Sequence, residues 1–136
     1  MSSTASAYHS ETHGVVVRVR PAYLEAQSDP EGGRWVWAYR VTIENRRPDL
    51  VQLVARRWII TDAAGRVEEV AGPGVVGETP VIGPGDKYQY ASGCPLGTPS
   101  GSMHGVYHMT DAQGRAFEVE IPHFSLDVPG ARRVLN

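Results

Sequence analysis

Cysteine is nearly absent from this sequence. Cys94 stands alone, which excludes an internal disulfide and supplies no zinc-ligand spacing. Long apolar runs are missing too, and nothing approaches the roughly 20 residues of a membrane-spanning helix, so no membrane partner is expected. The opening residues, MSSTASAYHSETHG, lack a hydrophobic core. Neither a signal peptide nor an anchor is expected from them, and a cytoplasmic location is the reading that follows. Charge of one sign is lacking as well: 13 Lys and Arg stand against 15 Asp and Glu, a formal net charge of -2. That balance gives no electrostatic footprint for a nucleic-acid backbone. Helical periodicity is also missing, because glycine or proline interrupts every segment long enough to carry it.

Strand patterning fills the space. At 136 residues the chain fits one domain, placed at residues 13–127 between a flexible tail at 1–12 and a C-terminal tail at 128–136. Val15, Val17 and Val19 alternate with Val16, Arg18 and Arg20 up to Pro21. The clearest alternation follows the turn Ser28–Gly33: Trp35, Trp37, Tyr39, Val41 and Ile43 on one side, with Val36, Ala38, Arg40, Thr42 and Glu44 on the wet side. Further strands are read at 50–61, 67–71, 79–82, 86–92, 103–111 and 115–124.

Two turns share one pattern, TDAxGR, at Thr61–Arg66 and Thr110–Arg115. Asp at the first position with Gly in a left-handed conformation makes a three-residue hairpin loop with a bulge. In the second hairpin this sets Asp111 opposite Arg115, Met109 opposite Phe117 and Tyr107 opposite Val119, with His108–Glu118 and Val106–Glu120 facing out. Many short strands joined by Gly/Pro turns specify an all-β sandwich or barrel. The half-wet tryptophan strand favours a sandwich of about seven antiparallel strands.

Candidate chemistry centres on Gly72-x-Gly74-x-x-Gly77, the spacing that cradles phosphates in dinucleotide folds. The helix that should follow is ruled out by Thr79-Pro80-Val81-Ile82-Gly83-Pro84-Gly85, and no acidic residue stands near Gly93-Cys94 where one is needed. A weaker reading survives, in which successive glycine-loop amides form an anion nest closed by Arg56, Arg57 or Lys87. Opposite it stands the reading that these residues only route the chain between sheets. No metal site is expected: His104 and His108 share a strand face but lie about 13 Å apart, far beyond ligand reach of one ion. Cys94 has no adjacent base, and no catalytic set can be assembled. Trp35, Trp37, Trp58 and Tyr39 read as core more readily than as a ligand pocket.

Long phrases then carry a resemblance. Tyr23–Ser28, Ala38–Asn45, GPGVVGETP at Gly72–Pro80, Tyr90–Gly93, Pro99–Tyr107 and Phe117–Phe124 closely resemble the bacterial ApaG family over roughly residues 11 to 127. The resemblance implies a fibronectin type III-like or immunoglobulin-like sandwich, in agreement with the strand reading. It implies a small cytoplasmic protein linked to cobalt resistance and magnesium efflux, whose gene often neighbours that of a diadenosine tetraphosphate hydrolase. Related eukaryotic domains are associated with protein–protein contact. It carries over no catalytic residue and no cofactor, and only Gly72, Gly74 and Gly77 transfer as marked positions. The expected function is therefore a non-enzymatic binding module with an unidentified protein partner. The alternative is a binder of pyrophosphate or a dinucleoside polyphosphate at Gly72–Gly77. Homodimerisation through long edge strands is left open.

Overall fold

The alternation that starts at Trp35 becomes strand β3, Trp35–Asn45, and buries Trp37, Tyr39, Val41 and Ile43. Val36, expected on the wet side, is buried too. The turn at 24–28 folds over it: the Val36 amide donates to Ser28 Oγ and its carbonyl accepts from the Leu24 amide. These relations come from a computed structural model that describes residues 7–130. In chain order the other strands are β1 Tyr8–Thr12, β2 Val15–Tyr23, β4 Val51–Asp62, β5 Val67–Pro73, β6 Val81–Ile82, β7 Lys87–Leu96, β8 Gly101–Asp111 and β9 Ala116–Leu126. No α-helix occurs among the described residues, and none of them forms a helix long and apolar enough to cross a membrane.

Two antiparallel sheets face each other across the core, one ordered β1-β2-β3-β7 and the other β5-β4-β8-β9, with β6 beside β4. The all-β sandwich read from the sequence is the observed fold; all eight segments read as strands form, the short ones included, and one more brings the count among the described residues to nine in place of about seven. The added strand, β1, falls inside the expected tail 1–12; residues 1–6 lie outside the described residues. A two-residue turn at His13 (φ 52°) and Gly14 (φ 82°) returns β1 onto β2. Its side chains then stitch it to β9: Ser10 Oγ donates to the Glu120 carbonyl, and Thr12 Oγ1 accepts from the Glu120 amide. At the other end Val128 packs against the core, although it belongs to the expected C-terminal tail. Residues 131–136 of that tail also lie outside the described residues.

Both TDAxGR turns form as read. The Asp62 and Asp111 amides donate to the Arg66 and Arg115 carbonyls, the Arg66 and Arg115 amides donate back to the Asp Oδ1 atoms, and Gly65 and Gly114 take φ of 84° and 79°. The register of the second hairpin pairs Met109 with Phe117, Tyr107 with Val119, His108 with Glu118 and Val106 with Glu120, as expected.

Four carboxylates are held below their ordinary range by their partners: Glu44 by Arg18 and Arg46, Asp49 by Arg47, Glu69 by Arg57, and Asp111 chiefly by the Arg115 amide. A depressed carboxylate stabilises the fold above its unfolded pKa of about 4, and that contribution is lost as pH falls through the lower folded value. The thermal midpoint is therefore expected to stay flat from about pH 7 to 5 and to fall steeply below about pH 4. A midpoint unchanged at pH 3 in a calorimetric series is the contrary result.

Candidate functional site

The glycine motif builds a hairpin, and each of its glycines has a local reason. Gly72 lies in β5 opposite Arg56, and a Cβ there would sit 3.3 Å from Arg56 Nη1. Its missing side chain lets the guanidinium lie against the strand. Gly74 has φ 61°, and a Cβ would come within 2.2 Å of the Glu78 carbonyl oxygen. Gly77, at φ 82°, completes a tight two-residue turn with Val76, at φ 42°, between the bridged pair Val75 and Glu78.

Amide use in this hairpin differs from that of an anion nest. The Gly74 amide donates to the Val54 carbonyl, and Val75 and Glu78 exchange amide-to-carbonyl bonds of 2.8 and 2.9 Å. Toward Arg56 the loop turns carbonyls: Arg56 Nη1 donates to the oxygens of Pro73 and Gly74, each at 2.9 Å. The three basic candidates are not brought together. Arg56 points into the sandwich opposite Tyr107, while Arg57, its neighbour on β4, points to the outer face and pairs with Glu69. Lys87 lies on β7 in the other sheet, opposite Glu44.

What the fold does gather around Arg56 is a cleft of about 240 Å³ on the side where β5 and β7 stand apart. Tyr39, Trp58 and Met103 form apolar walls, Ser92 and Cys94 come from β7, and Glu68 sits at the far mouth. Tyr39 and Trp58 meet edge to face at 5.2 Å. Burial pushes the Tyr39, Tyr90 and Tyr107 hydroxyls up, so all three stay neutral near pH 7. Burial also lifts the Cys94 thiol to about 11, which leaves it protonated and a poor nucleophile. Sequence reading treated Trp58 and Tyr39 as core, and both are buried. The ligand-pocket reading, ranked second to core, also describes them, since the same rings wall a cleft; its other lining, Ser92 and Cys94 across from Arg56, is set by no local pattern.

On the outer face of β8 and β9 a second depression, about 370 Å³, is lined by Arg57, Ile59, His104, Val106, Glu118 and Glu120, among others. His104 stacks on His123 at 5.5 Å, a pairing that a bulge in β9 makes. Among the described residues no three His, Cys, Asp or Glu side chains gather to hold a metal ion.

This geometry can be set beside known proteins. The sequence profile of the ApaG domain matches residues 25–111, and Protein ApaG of Mesorhizobium japonicum is 57% identical over 129 residues, covering 95% of this chain and 99% of its own. The chain belongs to the ApaG family. Protein ApaG of Brucella canis is 60% identical over the same coverage. Among solved structures, the putative ApaA protein of Bordetella pertussis superposes with a TM-score of 0.83 at 44% identity, over 91% of this chain and 98% of that one. The glycine hairpin therefore lies within the matched ApaG domain, while β1, β2 and β9 lie outside the profile match.

Proposed function

We propose that this ApaG-family domain is a non-enzymatic interaction module that grips a protein partner at the corner formed by the glycine hairpin, the start of β4 and β6. One observation carries the reading. Of five large hydrophobics left exposed among the described residues, four collect there: Leu50, Val54, Val76 and Val81. Val81 is opposite Gln52, between Leu50 and Val54 along β4, and the Val54 carbonyl holds the hairpin stem at Gly74. Exposed apolar side chains gathered on neighbouring backbone in this way favour a contact site.

Val76 strengthens the argument. It is 56% exposed and adopts φ 42°, a conformation that suits Asn, Asp or Gly and costs a β-branched residue about 1 kcal/mol or more. An exposed valine held there adds strain without burial, which fits selection for contact. In this reading the domain influences divalent-cation handling, cobalt and magnesium included, indirectly through its partner.

Val76→Asn is expected to raise stability by about 1 kcal/mol, since asparagine tolerates the turn, and to abolish the contact. A photo-cross-linker at Val81 in living cells should trap one discrete protein, and the Val76→Asn background should lose it. The same cross-linker at Ala112, on a different loop, should trap none. Identical products at Val81 and Ala112, or no product at Val81, would refute the proposal.

A further inference from the structure

The inter-sheet cleft at Arg56 shares the hairpin stem with that corner but is lined by different side chains, and it carries an inference of its own. We propose that it binds a small, free organic monocarboxylate with a flat or branched apolar body, the carboxylate resting on Arg56.

The cation comes first. Arg56 uses only Nη1 within the protein, on the Pro73 and Gly74 carbonyls. Among the described residues no carboxylate pairs with it; the same holds for Arg20, Arg34, Arg40 and Arg66, but of these only Arg56 lines this cleft. The Nε–Nη2 edge is therefore left as a two-pronged donor, the geometry that matches a carboxylate. Its neighbours do not neutralise it. The Tyr39, Tyr90 and Tyr107 hydroxyls feel the guanidinium charge, yet burial keeps them protonated.

The walls then define the body of the ligand. Trp58, Met103 and Tyr39 offer an aromatic and thioether surface, and Ser92 supplies a hydroxyl near Tyr39. A volume of about 240 Å³ lies just below the range for drug-sized ligands, so the guest is small. Polyanions are disfavoured. Glu68 pairs with Ile60, four positions along β4 from Arg56, so its backbone stands about 13 Å along the strand from that of Arg56 and its carboxylate lines the other end of the cleft. One cation facing one distant carboxylate suits a single negative group at the Arg56 end.

Titration by NMR tests this, with the Trp58 indole N–H and the Met103 methyl as reporters. Benzoate is the probe; benzyl alcohol keeps the body without the charge, and inorganic pyrophosphate keeps charge without the body. Benzoate is expected to shift both reporters saturably at millimolar concentration. Benzyl alcohol should bind at least about tenfold more weakly, and pyrophosphate should leave the reporters unmoved. Ser92→Leu, which fills the mouth without touching the Arg56 hydrogen bonds, should eliminate the benzoate response. Arg56→Lys should weaken it several-fold, since an ammonium lacks the fork. The proposal is overturned if benzoate gives no saturable shift at 50 mM, if benzyl alcohol or pyrophosphate matches it, or if both variants respond like wild type. The Val76→Asn variant should bind benzoate normally, so loss of the partner contact and loss of the cleft are read separately.

Discussion

Gly105→Ala is expected to destabilise the domain by about 3 kcal/mol or more, lowering the thermal midpoint by roughly 10 °C or leaving the protein insoluble. Gly105 sits in the middle of β8, opposite Trp58 on one side and Ile121 on the other. A Cβ there would stand 2.1 Å from the Arg57 carbonyl oxygen and 3.1 Å from Trp58 Cα. Both contacts are backbone, so no side chain can swing away. Relief requires β4 and β8 to separate, which breaks ladder hydrogen bonds and displaces the Trp58 ring from Tyr39 and Phe124, at 5.2 and 6.0 Å. Gly97→Ala is the control: its nearest obstacle, the Gly33 carbonyl oxygen, is 4.0 Å away, and a change within about 0.5 kcal/mol is expected. Equal thermal midpoints for the two variants would show that the strands yield more easily than their packing implies.

Asn45→Ala is expected to cost about 3 kcal/mol through lost hydrogen bonds. The Asn45 side chain is fully buried at the end of β3. Its Nδ2 donates to the carbonyls of Asp49 and Ile82, at 2.8 and 2.9 Å, and its Oδ1 accepts from the Arg47 amide at 2.9 Å. Ile82 belongs to the other sheet, so this one amide ties the two layers together where β6 is only two residues long. Removing it takes a donor from the buried Ile82 carbonyl. Asn45→Asp should be at least as costly at neutral pH, because it points a carboxylate oxygen at two carbonyls. Hydrogen exchange at Ile82 should accelerate in both variants before the rest of the sheet does. Uniform exchange across the domain would mean that Asn45 stabilises the whole and not this seam.

Loss of the seam also reaches the proposed contact corner, since Val81 is carried by β6. Stability and partner binding are thus coupled at Asn45 and opposed at Val76, where Asn is expected to stabilise and to disable. Comparing the two variants separates a folding defect from a contact defect.

Much of this architecture can be read residue by residue. The TDAxGR turns fix their own register because Asp oxygens satisfy nearby amides: Asp111 Oδ1 accepts from the Gln113 and Arg115 amides, each at 2.9 Å. The same period-2 rule that places Trp37 and Tyr39 inward should have separated Arg56 from Arg57, since consecutive strand residues face opposite ways. Strand β1 was harder to read. Tyr8, Ser10 and Thr12 alternate and pair with β2 across the His13–Gly14 turn, but their side chains are held by β9 and the Phe124 ring, 6.0 Å from Tyr8, which lie more than a hundred positions away.

Local backbone chemistry is what the sequence by itself determined: the strands from β2 onward, the turns, the register of the β8–β9 hairpin and the all-β class, each set by interactions a few residues long. Which residues face inward along a whole strand was decided by tertiary structure. In β4 the register shifts between Leu53 and Ala55, so Val51 and Leu53 point in before it and Arg56 and Trp58 after it. In β9 a similar shift opposite Met103–Gly105 turns Ile121 and then Phe124 inward. A bulge changes parity for every residue beyond it. Packing against the opposite sheet selects that parity, and through it places Arg56 in the cleft and Arg57 on the outer face.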